Sequence, residues 1–486
     1  MLKIMKQPIR AVAAILLAGS MVTACGDFGN LNIDPKSPTE VEAVFLVSSA
    51  QKSLADHLVT SSVNQNVTRL LTQYWAQVTY TSESRYDLQG RALPETHWNV
   101  LYLSVLKDLQ EARGFLNELD PVILANQEAT ISILEVYAFQ MLVDLFGNVP
   151  YSEALQGENG RSPAYDDAAT IYADLVTRLD AAINSIDQAE VGFSGDLMYF
   201  GDMSKWYTFA QSLKLRLGMR LAEISPATAQ TIVEAAALNV MASNADNAEL
   251  AYGGGTTSGN PLYADLYVSG RHDYVISAPF LAALEGVNDP RIPYYMDPVP
   301  DTTIYVGATY GNPNSIVWYE YAQVDASMSE NAGFPSVYMD YAEVQSLLAE
   351  AATYGWATPW SAQQHYDSAI VASIEWWGGT EAEAATYLAD AGVDFALQAD
   401  PLQAIAFQRW IGFYNNPWQG YIEMRRMDYP SLNDILTPPL DMSAADFPNR
   451  FAYPVREGSV NGTNYTAAGT AIGGDTFQNR VFWDMN

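Results

Sequence analysis

The chain has 486 residues, 49% of them hydrophobic, with 56 Asp and Glu against 24 Lys and Arg and a formal net charge of −32. That is ample apolar material for a large core. So acidic a body repels polyanions, which argues against nucleic acid as a partner and against flat adsorption on anionic lipid.

The first 25 residues read as a secretion signal with a lipidation site. Lys3, Lys6 and Arg10 form a basic start, Ala11–Ala18 a short apolar run, and Val22-Thr-Ala-Cys25 the end. This is the layout of a cleaved signal peptide, and the apolar run is too short to span a bilayer. The cysteine after Thr and Ala resembles a bacterial lipobox, in which the cysteine sulfur is lipidated and the cysteine itself becomes the new N-terminal residue. Cys25 is the only cysteine in the chain. It has no disulfide partner, and acylation removes a thiol that would otherwise be exposed to oxidation. Several acyl chains on one residue suffice for stable anchoring. Cleavage removes three positive charges and takes the net charge from −32 to −35. Residues 1–24 are thus expected as signal peptide and 25–40, rich in Gly, Pro, Asn and Asp, as a tether. Residues 41–486 are expected as one domain in which no later apolar run is long enough to cross a membrane.

Helical periods follow. Ile131, Leu134, Ala138, Met141 and Leu145 recur at three and four, and Gly147 stops the helix. Asp166 or Asp167 can cap the next, with Ile171, Leu175, Leu179, Ile183 and Ile186 on one face. Asp202 or Ser204 can cap a third, with Trp206, Phe209, Leu213, Leu217 and Leu221 inward. Later helices are predicted from Tyr341, Val344, Leu348 and Ala351, from Tyr366, Ile370, Ser373 and Trp377, and from Pro401 to Tyr414. Neighbouring helices with short connections predict a mostly α fold of helix pairs, about 129–245 and 337–430, packed side by side as in tetratricopeptide arrays. Between them, about 245–336, the chain is rich in Gly, Pro, Asn and Tyr and reads as turns, short strands and long loops. Residues 431–486 also read as loops.

Catalytic patterns are missing. There is no H-E-x-x-H, and His57, His97, His272 and His365 are scattered, each read as structural. There is no G-x-S-x-G elbow, and Gly253–Gly255 lacks the lysine of a phosphate loop. With the only cysteine at the lipidation site, thiol catalysis is out. With 56 acidic residues, some carboxylate pair falls at any chosen separation by chance, so glycosidase chemistry has no specific signal. The sequence calls for no enzyme activity and no cofactor. Its Asp/Asn-rich loops are too common to decide for or against a bound Ca²⁺.

Several stretches, in order over nearly the whole chain, resemble the SusD/RagB family of outer-membrane nutrient-binding lipoproteins, in its SusD-like branch. They are Cys25–Pro35, Tyr137–Pro150, Ser162–Tyr172 and Asp289-Pro-Arg291, followed by Leu347–Trp356, Tyr421–Arg426, Arg450–Glu457 and Trp483-Asp484. The resemblance implies a bundle of tetratricopeptide-like helix pairs carrying an irregular loop-rich region. It also implies a cell-surface protein, lipid-anchored to the outer membrane through Cys25, that caps a TonB-dependent SusC-like barrel. Such a protein captures oligosaccharides, or in some members oligopeptides, and hands them to the barrel. The motifs themselves read as architecture, with Arg425 and Arg426 tying helices to loops rather than touching ligand.

A neutral sugar offers apolar C–H faces and a rim of hydroxyls, so its binder needs flat aromatic platforms edged by Asn, Asp, Gln or Arg. Aromatics in polar stretches without helical period supply three candidate clusters. The first is Trp75, Tyr80, Tyr86 and Trp98, with Gln77, Arg85, Asp87 and Asn99 around it. The second is Tyr263, Tyr267, Arg271, Asp273 and Tyr274. The third is Tyr310, Asn312, Trp318, Tyr319 and Tyr321. Trp75 and Trp318 stand first among them, whereas Trp356, Trp376 and Trp377 lie in helical patterns and are read as core. Packing is the competing role for each of these rings. An oligopeptide binder would instead favour backbone-pairing edges and mixed pockets. A lipid-anchored hydrolase or a passive structural lipoprotein are the readings from other classes.

Overall fold

The computed structural model describes residues 42–485, so the expected signal peptide, Cys25 and the tether lie outside the described residues. Helix starts follow side-chain caps. Asp120 accepts from the Val122 amide at 2.9 Å ahead of Pro121, Asp167 from Thr170 at 3.0 Å, and Asp202 from Ser204 and Lys205. Each satisfies amides that have no partner in the first helical turn. Among the helices are α1 (Ala43–Val59), α2 (Lys107–Gly114), α3 (Pro121–Phe146), α4 (Ala168–Ser185), α5 (Met203–Arg220), α6 (Pro226–Ala236), α7 (Tyr341–Thr353), α8 (Ala362–Trp376), α9 (Pro401–Gly412), α10 (Pro417–Met427) and α11 (Gly462–Ala471).

Consecutive helices pack as pairs, α3 with α4, α5 with α6, α7 with α8 and α9 with α10, while α4 also packs on α5 and α7 on α9. The inward faces are the ones the periodicity marks: Leu175 and Leu179 of α4 and Trp206, Phe209, Leu213 and Leu217 of α5 are fully buried. Helix α3 differs from expectation. Over 26 residues it is long and apolar enough to cross a membrane, but from Ala129 to Phe146 it is almost wholly buried in the protein as a core helix. Further differences are helical segments outside the expected pairs, among them α1 and, inside the loop-rich segment, Ala278–Gly286. Residues 93–114 are helical throughout, with a wider π-type winding over Val100–Leu106 that breaks the 3.6-residue period. The C-terminal stretch contains α11.

The family-like motifs converge on one place. Arg425 reaches the Asp144 carbonyl at 2.8 Å, Arg450 the Phe146 carbonyl at 2.9 Å, and the Phe451 amide the Leu145 carbonyl at 2.8 Å. The Trp483 indole donates to the Asp144 carboxylate at 2.8 Å. The first three of these bonds satisfy carbonyls left open where α3 stops at Gly147. Nearby, Glu350 of α7 receives both Arg426 (2.6 and 2.7 Å) and Arg409 (2.8 Å), and Arg409 and Arg220 also bond Glu423. Burial works to raise the Glu350 carboxyl, but Arg426 and Arg409 outweigh it and hold it below the usual range.

The strands are short and pair antiparallel in twos. They are β1 (Trp75–Gln77) with β5 (Tyr274–Ile276), β2 (Val149–Pro150) with β3 (Tyr165–Asp166), β4 (Ala248–Leu250) with β8 (Ser336–Met339), and β6 (Met296–Asp297) with β7 (Gln323–Val324). The β4–β8 ladder brings residues 250 and 336 side by side, so the loop-rich segment leaves the helices and returns at one point. The β1–β5 ladder then ties that segment to the stretch between α1 and α2.

Candidate functional site

The loops held by β1 and β5 enclose two adjoining clefts. Asp265 accepts from the Thr60 hydroxyl at 3.0 Å and the Ser61 amide at 3.1 Å, and the Tyr274 hydroxyl bonds the Ser61 carbonyl. Burial raises the Asp265 carboxyl, against the lowering pull of these hydrogen bonds. The strand continues past its ladder, with the Val78 amide on the Asp273 carbonyl at 2.8 Å. On one side of residues 271–274 lies a cleft of about 490 Å³ between Ser61–Asn64, Thr79, Tyr80 and Arg91. On the other side lies one of about 380 Å³ between Tyr267, His272, Asp297, Trp318, Gln323 and Glu330. Arg271, Asp273 and Tyr274 line both.

Flat rings stand at the rim. Trp318 stacks face to face on His272, centroids 3.7 Å apart and planes 8° apart. Tyr319 meets Trp318 edge-on at 5.7 Å and is 56% exposed. Tyr267 is 50% exposed and stacks on Tyr263 at 5.4 Å. Across the Arg271–Asp273 segment, Tyr80 is 69% exposed on a left-handed backbone position (φ 55°). The short turn Trp318–Glu320 is pinned by Gln323, whose amide donates to the Trp318 and Tyr321 carbonyls at 2.9 and 2.7 Å. Polar groups lie between the rings. Arg271 makes a two-pronged bond to Asp273 at 2.6 and 2.9 Å, which raises the guanidinium pKa. Arg91 pairs with Glu83 and reaches Asn64 at 3.2 Å. Apolar faces beside fixed hydrogen-bonding groups suit a ligand with both C–H faces and hydroxyls.

A family model described as starch-binding, associating with the outer membrane, matches residues 35–454. The chain belongs to this SusD-like family. Among solved structures it is similar to a chitin-binding protein, at 26% identity with a TM-score of 0.77, covering 92% of this chain and 100% of that one. It is similar also to a SusD homologue from Bacteroides uniformis, at 26% identity and TM-score 0.71, covering 91% and 100%. A chitin-binding SusD homologue from Flavobacterium johnsoniae shares the fold at 23% identity and TM-score 0.73, covering 91% and 97%. No curated protein matches the chain.

The SusD-like fold breaks up the first of the three aromatic clusters. Trp75 sits in β1 fully buried, donates its indole N–H to the Tyr414 hydroxyl at 2.8 Å and lies under Arg69. Trp98 is 9% exposed among Tyr102, Phe146, Tyr165 and Tyr453. Both are core rings with no face left for a ligand, which corrects the expectation for them. Tyr86 is half-buried against Phe447, so of the four only Tyr80 lines a cleft. Of the second cluster, Tyr267, Arg271 and Tyr274 do line the clefts, Tyr274 with its ring against Trp75. Of the third, Trp318 lines the second cleft while half-buried on the small cluster of Ala76, Val78, Val275 and Ala308, and Tyr319 beside it is exposed. Tyr321 packs with Ile316 on the small cluster of Ala76, Val78, Val275 and Ala308, and Tyr310 is fully buried. Trp356, Trp376 and Trp377 pack on the core as expected. Sequence reasoning passed over His272, Arg91 and Asp265. For His272 the one available signal was its place in the Gly270-Arg-His-Asp-Tyr turn, already singled out for Arg271 and Tyr274.

Proposed function

We propose that this protein is a lipid-anchored cell-surface receptor that captures oligosaccharides in the paired clefts and delivers them to a TonB-dependent SusC-like barrel, with no chemical step of its own. The observation that carries the glycan reading is the Trp318–His272 stack with Tyr319 and Tyr267 beside it, above a cleft of about 380 Å³ edged by Arg271, Asp273 and Gln323. Pyranose rings lay their C–H faces on such platforms while hydroxyls meet the charged and amide groups. The family's description as starch-binding and the chain's likeness to a 26% identical chitin-binding protein support the same ligand class. Cys25 supplies the anchor, and residues 25–40 the tether to it. Modest affinity at each ring suffices when a barrel beneath traps the released chain.

Calorimetry with starch- and chitin-derived oligosaccharides tests this. Trp318→Ala is expected to weaken binding at least tenfold while the protein stays folded by circular dichroism. Unchanged affinity in that variant, or release of shortened glycan by the purified protein, would count against the proposal.

A further inference from the structure

We infer that the paired clefts take an uncharged oligosaccharide and turn away chains bearing uronate or sulfate groups. This rests on the glycan reading above and narrows it. An anionic sugar is held by unpaired guanidinium or ammonium groups, most effectively by a two-pronged arginine. Here both arginines of the clefts already serve carboxylates of the protein. Arg271 spends Nε and Nη2 on Asp273, at 2.6 and 2.9 Å. Arg91 spends Nε on Glu83, which is itself buried and fixed by Gln77 at 2.7 Å, and Nη1 on Asn64. No lysine lines either cleft.

The remaining charge is negative. Asp265, Asp297 and Glu330 line the clefts, and none has an ion-pair partner among the described residues. Asp265 is bonded to hydroxyl and amide groups and Asp297 to the Ala326 amide at 3.0 Å. A uronate chain would therefore meet two neutralised arginines and three uncompensated carboxylates, on a body of net charge −32. A neutral chain meets no such penalty. The paired arginines still offer it outward N–H groups, since the Arg271 side chain is 57% exposed, and the carboxylates accept from its hydroxyls.

The test is a glycan array that carries neutral, uronate-bearing and sulfated oligosaccharides of equal length, followed by calorimetry with hexagalacturonate. Wild-type protein is expected to bind among the neutral chains and to bind hexagalacturonate at least tenfold more weakly than its best neutral ligand. The Asp273→Asn variant, which frees the Arg271 fork, is expected to gain at least fivefold for hexagalacturonate. Wild-type signal on acidic chains equal to that on neutral ones overturns the selectivity and leaves the glycan reading standing. Absence of that gain in Asp273→Asn overturns the ion-pair explanation. No signal on any glycan overturns the glycan reading, and the selectivity with it.

Discussion

Acid should weaken this fold through His57 and His97. Nε2 of His57 meets Nδ1 of His97 at 2.8 Å, with Trp418 packed on both rings and Phe451 on His97. Neither imidazole reaches water, and their outer nitrogens have no hydrogen-bond partner. A proton added here would place an unsolvated cation among aromatic rings. Burial holds His57 down at about 4, and burial together with the charge of His57 holds His97 well below its ordinary value. Unfolded, both return to about 6.5. The unfolded chain therefore takes up these protons first, and stability is lost as pH falls from about 6.5 towards 4. For His57 the span corresponds to about 3 kcal/mol, at about 1.4 kcal/mol per pH unit. Asp340 acts in the opposite sense. Burial pushes its carboxyl up to about 7, so it favours the folded state as pH drops from 7 to 4. The wild-type curve is then a difference of opposing slopes, and a variant isolates the histidine part. Urea unfolding of wild type and His97→Gln between pH 6 and 5 should show the variant losing about 1.4 kcal/mol less stability. Parallel curves would refute the assignment of the acid response to this pair.

Three further outcomes follow from the geometry. Glu350→Ala leaves buried Arg426, Arg409 and Arg220 sharing the Glu423 carboxylate, and should cost about 3–5 kcal/mol by chemical denaturation. Gly147 ends α3 at φ 79° and ψ −120°, where a Cβ would touch nothing closer than 4.0 Å. Gly147→Ala should thus cost about 1–3 kcal/mol from backbone strain alone, read from the same assay. Tyr267→Ala removes a half-exposed ring, so it should lower oligosaccharide affinity severalfold with the melting temperature unchanged.

The helices were legible where burial follows a period. Ile171, Leu175, Leu179 and Ile183 lie inward from a start at Asp167 because a cap and a 3.6-residue repeat specify a helix locally. The site was legible only in part, because burial of a ring in an irregular stretch is decided by distant partners. Trp75 is inside because β1 pairs with β5, two hundred residues on, and because Tyr414 receives its indole N–H. Trp318, in a stretch of similar texture, stays half-exposed along a cleft because Gln323 pins its turn there. No local pattern separates the two. His272 illustrates the converse, a lone histidine that becomes a platform only because Trp318 lies flat against it.

A crystal structure of the protein with an oligosaccharide that binds in solution tests the central claim most directly. Sugar rings are expected against Trp318, Tyr319 or Tyr267, with hydroxyls on Arg271 and Asp273. Sugar bound elsewhere, for instance in the cleft of about 330 Å³ beside Asn288 and Tyr387, with the Trp318 face left bare, would contradict it.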